Sequence, residues 1–223
     1  LNCPRCFYLE RRLGVAQPPG FPFSLNNAVD TLLKKEFDIH RVQKTQHPFM
    51  QAYGISAVPF NDARMEEWRD AIKRVIKYVD PTTQFLVTGG VDDMWVNDKK
   101  ELHVVDYKAT SKDDEVSLDA PWQIGYKRQV EIYQWLFRKN GFLVSDTAYF
   151  VYCNGTTDKK AFDGKLEFDV RIIPYSGNSD WVEQTLVEAK KCLDTNELPH
   201  SSQDCDFCAY RNAAHEVENG CVN

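Results

Sequence analysis

The chain has 223 residues, of which 43% are hydrophobic and 27% charged, and its formal net charge at pH 7 is −6. This composition is typical of a soluble globular protein, long enough for one large domain or two small ones. No apolar run approaches the ~20 residues of a membrane-spanning helix, and the first residues lack the basic and apolar segments of a secretory signal. The acidic balance argues against binding nucleic acid by net charge, although basic residues outnumber acidic ones in residues 1–46.

The first segment contains two cysteines in a CxxC pair and then predicts a short amphipathic helix, broken by a glycine and proline loop at residues 14–20. A second helix is predicted over Leu25–Phe37 from apolar residues at helical spacing, Ala28, Val29, Leu32 and Leu33. Asp30 lies on the flank of that apolar stripe, so its carboxylate either faces water or points into a site.

Residues 40–60 show no clear periodicity and are expected to form a loop with short extended pieces. A third helix is predicted next, capped by Asn61 and Asp62 and stopped by Pro81. Its apolar stripe consists of Met65, Trp68, Ile72, Val75 and Val79.

Residues 84–108 predict two strands joined by a polar turn at residues 97–100. Side chains alternate along the second strand, so Asp106 and Lys108 share one face and Tyr107 lies on the other. The turn allows Asp92 to pair with residue 105 or with Asp106. Two acids and a lysine gathered at strand ends favour a divalent cation and metal-assisted phosphodiester hydrolysis, while the alternative is a surface hairpin with solvated charges.

A long helix is predicted over Asp119–Asn140, ended by Gly141. One face carries Trp122, Tyr126, Gln129, Tyr133 and Leu136. Gln129 and Tyr133 are neighbours at i and i+4, and they either belong to a packed aromatic face or reach across to the hairpin.

Two strands follow, at Thr147–Cys153 and Leu166–Pro174, then a helix at Asp180–Leu193 and the start of a short helix after Cys205. This order predicts one α/β domain whose central mixed sheet is flanked by helices on both faces. The helix between the hairpin and the later strands permits a parallel pairing within that sheet. The five histidines show no metal-binding spacing.

The second CxxC pair completes a set at opposite ends of the chain, Cys3/Cys6 and Cys205/Cys208. With seven cysteines and no secretory signal, the set favours a reducing, cytoplasmic compartment and a metal site over disulfides. Four thiolates suit either tetrahedral Zn²⁺ or a 4Fe–4S cluster, and the two-plus-two spacing by itself favours zinc. The remaining thiols are expected to be ordinary side chains, the first two of them buried: Cys153, Cys192 and Cys221.

An acid after G-G-V, then D-Y-K, then Q-x-x-x-Y on the following helix resembles the PD-(D/E)XK nuclease superfamily. The similarity is greatest to the branch with the RecB nuclease domain, AddB-type nucleases and CRISPR-associated exonucleases, in which cysteines also bracket the core. The resemblance implies a restriction-endonuclease-like core forming a single domain over residues 1–223, with the terminal cysteine segments joined at a metal site. It also implies DNA as substrate and, as partners, proteins of a repair or CRISPR-adaptation complex.

The resemblance assigns roles as follows: metal ligands Asp30, Asp92, Asp106 and Tyr107 for Mg²⁺ or Mn²⁺; catalytic Lys108; and supporting residues Gln129 and Tyr133. Two departures stand out. Asp30 occupies the place where the family usually has a histidine, which leaves the metal preference open. The family commonly has one cysteine at the start and three near the end, whereas this chain has two and two; the resemblance still favours the 4Fe–4S cluster.

Two rival interpretations belong to other classes. One is a non-catalytic subunit that keeps the fold and binds nucleic acid or scaffolds a complex. The other is a thiol–disulfide oxidoreductase, which is weakly supported because neither CxxC pair follows a strand in a thioredoxin-like unit.

Overall fold

The structure is a computed structural model that describes residues 2–20, 24–70 and 76–220. The chain divides into two compact units. Unit 1 combines Leu1–Pro22 with Trp181–Asn223, and unit 2 is Phe23–Asp180. Among the described helices, none is both long enough and apolar enough to cross a membrane.

The described elements of unit 1 are the helices α1 (Pro4–Arg11), α6 (Trp181–Asp194) and α7 (Asp206–Asn219). Those of unit 2 are, in chain order, α2 (Ser24–Gln43), α3 (Pro48–Ala52), β1 (Ala57–Pro59), α4 (Met65–Arg69), β2 (Ile76–Val79), β3 (Leu86–Gly89), β4 (Asp93–Asn97), β5 (Leu102–Thr110), a 3-10 turn (Pro121–Gln123), α5 (Ile124–Lys139), β6 (Thr147–Gly155) and β7 (Phe168–Ser176).

Five strands of unit 2 form a mixed sheet in the order β1-β4-β5-β6-β7. The β5–β6 pairing is parallel and the other three pairings are antiparallel, as expected for two strands joined by the crossover helix α5. On one face, Leu33 and Phe37 of α2 pack into a core with Val105 and Tyr107 of β5. Since side chains alternate along β5, Asp106 lies on the opposite face, where α5 contacts the same strand. The prediction of a restriction-endonuclease-like α/β fold with a central mixed sheet is confirmed.

The helix predicted between residues 61 and 80 is wrong. In the described part of this segment, residues 61–70 and 76–80, the chain forms the short α4 and then the strand β2, which pairs with β3 from Ile76 opposite Gly89. The Asp80 carboxylate closes the β2–β3 turn by accepting hydrogen bonds from the Thr83 amide and hydroxyl at 2.8 and 2.7 Å. Residues 75–79 are mostly β-branched or aromatic, and such residues favour a strand over a helix. The helical spacing of the apolar residues in this segment is therefore a coincidence. Ile72 and Val75 lie outside the described residues.

Several predicted boundaries also shift. Helix α2 extends six residues beyond Phe37 to Gln43, and Leu32 is exposed, contrary to its placement on the inner stripe. The predicted loop at 40–60 contains α3 and β1, and the short C-terminal helix is the 14-residue α7. Cys153 is buried as predicted, whereas Cys192 is only half-buried. Cys221 lies outside the described residues.

Candidate active site

The hairpin β4–β5 places two acids opposite each other. Asp93 pairs with Val105 across the hairpin, and continuing this register by one residue sets Asp92 opposite Asp106. The Tyr107 amide donates a 2.8 Å hydrogen bond to Asp92 Oδ2 and fixes the carboxylate there. Of the two registers that the sequence allows, the structure therefore adopts the one that brings Asp92 and Asp106 together.

Lys108 lies two residues further along the same face of β5. Its ammonium group forms an ion pair with Asp106, and its Nζ lies 4.4 Å from the centroid of the Tyr126 ring on α5. Asp106 is 2% exposed, and among the described residues its Oδ2 contacts the Lys108 ammonium group and has no further hydrogen-bond partner. A buried carboxylate oxygen is thus left able to accept a further cationic or hydrogen-bonding ligand.

Burial raises the pKa of Asp106 to about 6, against the opposing effect of Lys108 and with a further rise from Asp92. Burial likewise raises the pKa of Asp92, although Lys34 and the Tyr107 amide favour its charged form. Two carboxylates that repel each other in a buried site are relieved by a cation bound between them. The oxygen-only donor set fits a hard divalent ion such as Mg²⁺ or Mn²⁺.

Helix α2 brings Asp30 to the same site. Lys34, one turn later, lies with its Nζ 2.8 Å from Asp30 Oδ2 and 3.5 Å from Asp92 Oδ1, so its ammonium group bridges the helix and the hairpin. Asp30 therefore faces the acid pair. Lys34 was missed by the motif reasoning, although its i,i+4 spacing from Asp30 is a recognisable signal.

Gln129 and Tyr133 form the wall of the site on α5. The Gln129 amide donates a 2.8 Å hydrogen bond to the Tyr133 hydroxyl. Burial raises the pKa of Tyr133 to about 12, and the nearby charges of Asp106 and Asp92 add to the rise. Tyr133 is thus partly buried and lies close enough to the two acids to feel their charge, and Gln129 is placed beside it by the hydrogen bond.

Gly89 allows α5 to come this close. A Cβ atom at this position would lie only 2.6 Å from Cε1 of the Tyr133 ring and 2.9 Å from Leu136 Cδ1. The glycine before the G-V-D segment is therefore required by close packing against Tyr133.

The Tyr107 side chain lies on the other face of the sheet. Its hydroxyl donates a 2.8 Å hydrogen bond to Asp93 Oδ2, and Asp93 also forms ion pairs with Arg41 and Arg69. Only the main chain of Tyr107 therefore approaches the acid pair. The sequence reasoning missed this buried network, because pairing between α2, α4 and β4 depends on tertiary contacts that no local motif encodes.

In unit 1 the structure brings together the four predicted cysteines. They are the one described group of three or more His, Cys, Asp or Glu residues whose ligand atoms all lie within 4.8 Å of one another. The Sγ–Sγ separations are 3.8 Å for Cys3–Cys208, 3.5 Å for Cys6–Cys205 and 3.6 Å for Cys6–Cys208. The cysteines are held by the first turns of α1 and α7, since Cys3 and Cys205 are the N-cap residues of those helices.

The thiols differ in how readily they ionise. Burial opposes ionisation of Cys3, but main-chain hydrogen bonds at Cys6 and Ser202 and the neighbouring thiols outweigh it and lower its pKa to about 6. Burial and the adjacent thiols raise the pKa of Cys208 to about 12, and burial also raises the pKa of Cys6. A bound metal ion would favour all four thiolates, so this donor set fits a metal or a metal cluster.

Comparison with known proteins identifies the family. A family model described as the PD-(D/E)XK nuclease superfamily matches residues 1–213. The chain belongs to this superfamily, as the sequence motifs predicted, and its function is of the nuclease type. No curated protein sequence matches the chain significantly.

A solved structure described as "Crystal structure of SSO0001" aligns over 94% of this chain and 92% of its own length, with 14% sequence identity and a TM-score of 0.35. A TM-score this low supports no conclusion about the present chain.

Proposed function

We propose that this protein is a deoxyribonuclease that depends on a divalent metal ion and hydrolyses DNA phosphodiester bonds at the Asp92–Asp106–Lys108 site. The observation that carries the proposal is the buried Asp106 carboxylate, which pairs with Lys108 and lies across the hairpin from Asp92, so that two carboxylates and an ammonium group meet at one place. Membership of the PD-(D/E)XK superfamily supports the same chemistry, since these nucleases use divalent metals.

In this proposal, Asp92 and Asp106 hold Mg²⁺ or Mn²⁺ and Asp30 completes the carboxylate set. The ion would supply Lewis-acid stabilisation of the phosphoryl oxygens when bound. The Tyr107 main chain orients Asp92 through its amide.

Lys108 provides the fixed positive charge. Its ammonium group is held between Asp106 and the face of the Tyr126 ring, which limits the directions it can adopt. A charge positioned in this way stabilises the negative charge that develops on the phosphoryl oxygens during hydrolysis without having to reorganise. The Gln129–Tyr133 pair maintains the wall against which the acids are buried.

For the cysteines we propose a structural Zn²⁺ ion that fixes α1 to α7. Tetrahedral zinc with Zn–S bonds of about 2.3 Å gives sulfur–sulfur separations of about 3.8 Å. Three Sγ–Sγ separations are 3.5 to 3.8 Å and all four Sγ atoms lie within 4.8 Å of one another, which fits one ion better than a 4Fe–4S cluster, because a cluster binds each thiolate to a different iron and spreads them further apart. Anaerobically purified protein distinguishes the two, because a cluster absorbs in the visible and zinc does not.

The nuclease proposal is tested with the full chain, labelled DNA and added Mn²⁺ or Mg²⁺. We expect Asp106→Asn and Lys108→Met each to reduce the cleavage rate at least 100-fold, roughly the loss for one preorganised charge-stabilising group. Asp98→Asn and Lys99→Met, in the exposed turn of the same hairpin, are matched controls and should cleave at the wild-type rate. Equal, background-level cleavage by the wild type and all four variants would rule out the proposal.

A further inference from the structure

An unbroken series of aromatic and cationic side chains leads away from the proposed catalytic lysine. Lys108 lies over the Tyr126 ring, and the Tyr126 and Trp122 rings meet edge to face with centroids 5.4 Å apart. Lys112 then lies over the Trp122 ring, with Nζ 5.2 Å from its centroid. We refer to Lys108, Tyr126, Trp122 and Lys112 as the aromatic ladder.

Trp122 is the exposed member of the ladder. Its side chain is 57% exposed. The 3-10 turn that carries it is anchored by the buried Gln123 side chain, which accepts a hydrogen bond from the Ala120 amide at 2.9 Å and donates one to the Tyr152 hydroxyl at 3.1 Å. A large ring is therefore presented to solvent on a fixed support, with little conformational entropy left to lose when a ligand binds.

Lys112 is held in place by its main chain. Its amide donates a 2.8 Å hydrogen bond to Asn154 Oδ1, and its carbonyl accepts a 2.9 Å hydrogen bond from Asn154 Nδ2. Two of the three acids that follow Lys112 have other partners, since Asp113 accepts a hydrogen bond from Thr157 and Glu115 pairs with Arg171. The ammonium group of Lys112 lies over the Trp122 ring, so a cation accompanies the exposed aromatic residue.

We propose that the aromatic ladder binds an unpaired nucleotide of the DNA strand next to the scissile phosphate. The base would stack on Trp122 while Lys112 contacts the phosphate backbone. This inference rests on the proposed function, because Lys108 belongs both to the ladder and to the catalytic site. Two adjoining aromatic rings, one of them exposed, with a cation at each end match the chemistry of single-stranded nucleic acid.

The proposal selects single strands over duplex DNA. A paired base within a duplex has both of its faces covered by its neighbours, so it has no free face for Trp122. Stacking is independent of base identity, and the ladder should therefore bind with little sequence preference.

The test is fluorescence anisotropy with the full chain, a labelled oligothymidine strand and its duplex, with no divalent ion added. We expect Trp122→Ala to weaken single-strand binding roughly 5- to 100-fold and Trp122→Phe only a few-fold, because phenylalanine still offers a ring face. Duplex binding should be unchanged. Lys112→Met should reduce the salt slope of single-strand binding by about 0.7, the value for one phosphate contact.

The control is Tyr53→Ala. Tyr53 is also an exposed aromatic residue, at 45% exposure, but it follows α3, which packs into the core on the other face of the sheet. The proposal is overturned if Trp122→Ala binds single strands as Tyr53→Ala does, or if duplex binding falls equally. If Trp122→Ala is unstable, Trp122→Phe provides the test. A stable Trp122→Phe variant that loses single-strand binding would contradict stacking, because phenylalanine keeps a ring face.

The binding and cleavage assays separate the two proposals. A wild type that cleaves DNA while Trp122→Ala leaves single-strand binding intact keeps the nuclease proposal and overturns the ladder. A wild type that binds single strands through Trp122 but cleaves nothing supports the ladder and overturns the nuclease proposal.

Discussion

The acid site of unit 2 and the cysteine site of unit 1 differ in how closely their candidate metal ligands are gathered. The acids come from α2 and the hairpin, two lysine ammonium groups lie among them, and within the described chain the buried Asp106 Oδ2 has Lys108 as its one partner. The four thiols are closed on one another within 4.8 Å. Structural metal sites are typically closed, whereas catalytic ones keep an open position. The contrast supports the proposals that the acid site serves catalysis and the cysteine site serves folding.

The largest effect on stability is expected when the cysteine site loses one of its four thiols. Because the binding energy of the proposed zinc ion would contribute to folding, Cys208→Ser should destabilise unit 1 by several kcal/mol. Hydrogen exchange should show lost protection in α1, α6 and α7 and unchanged protection in β5 and β6. Cys192→Ser removes a half-buried thiol outside the cluster and is the matched control. Identical exchange patterns for the two variants would contradict a structural role for the cluster.

An intermediate effect is expected when the close packing of α5 against Gly89, beside the acid site, is disturbed. Gly89→Ala would drive a Cβ to 2.6 Å from the Tyr133 ring, so α5 or the ring must move. We expect a loss of about 1–3 kcal/mol in the free energy of unfolding, measured in urea, and at least a tenfold loss of cleavage.

The comparison variant is Gly125→Ala. Gly125 lies in α5, where an added Cβ meets no atom within 4 Å, so alanine should stabilise the helix by up to about 1 kcal/mol. If Gly89→Ala were equally benign, the proposed role of close packing in forming the site would be wrong.

The smallest effect is a difference between the two sites in how their metal affinity depends on pH. The carboxyl of Asp106, with its pKa raised to about 6, is protonated and neutral below that pH and ionised above it. Mn²⁺ affinity, followed by electron paramagnetic resonance, should therefore fall as pH drops through about 6 and level off above it, since the ion needs the carboxylate. Zinc affinity should still rise above pH 7, because the pKa of Cys208 is raised to about 12. A Mn²⁺ affinity that is flat between pH 5 and 7 would contradict the assignment of Asp106.

Much of the site could be predicted from local patterns. The turn after β4 limits the hairpin to two registers, and only the structure shows that Asp92 lies opposite Asp106. Strand alternation separates Asp106 from Tyr107, and the two CxxC pairs predict a shared metal site. The failures lie where distant segments decide the outcome. Residues 76–79 become a strand only because β3 is there to pair with them. Lys34 acquires its contact with Asp92 only because α2 packs beside the hairpin.

The same reasoning explains why the structural roles of Gly89 and Trp122 could not be predicted from the sequence. The glycine is required by a ring 44 positions away in the chain, and the tryptophan is typical of a core residue by its helical spacing. Only the fold shows that the first must be small and that the second faces solvent.

The cysteine site also sets an order of assembly during synthesis. Cys3 and Cys6 emerge from the ribosome before the whole of unit 2, and Cys205 and Cys208 emerge after it. Since units generally fold as they are completed, the sheet of unit 2 can form before Cys205 and Cys208 are synthesised to join Cys3 and Cys6. Capture of the proposed zinc ion therefore needs both segments and follows the synthesis of unit 2.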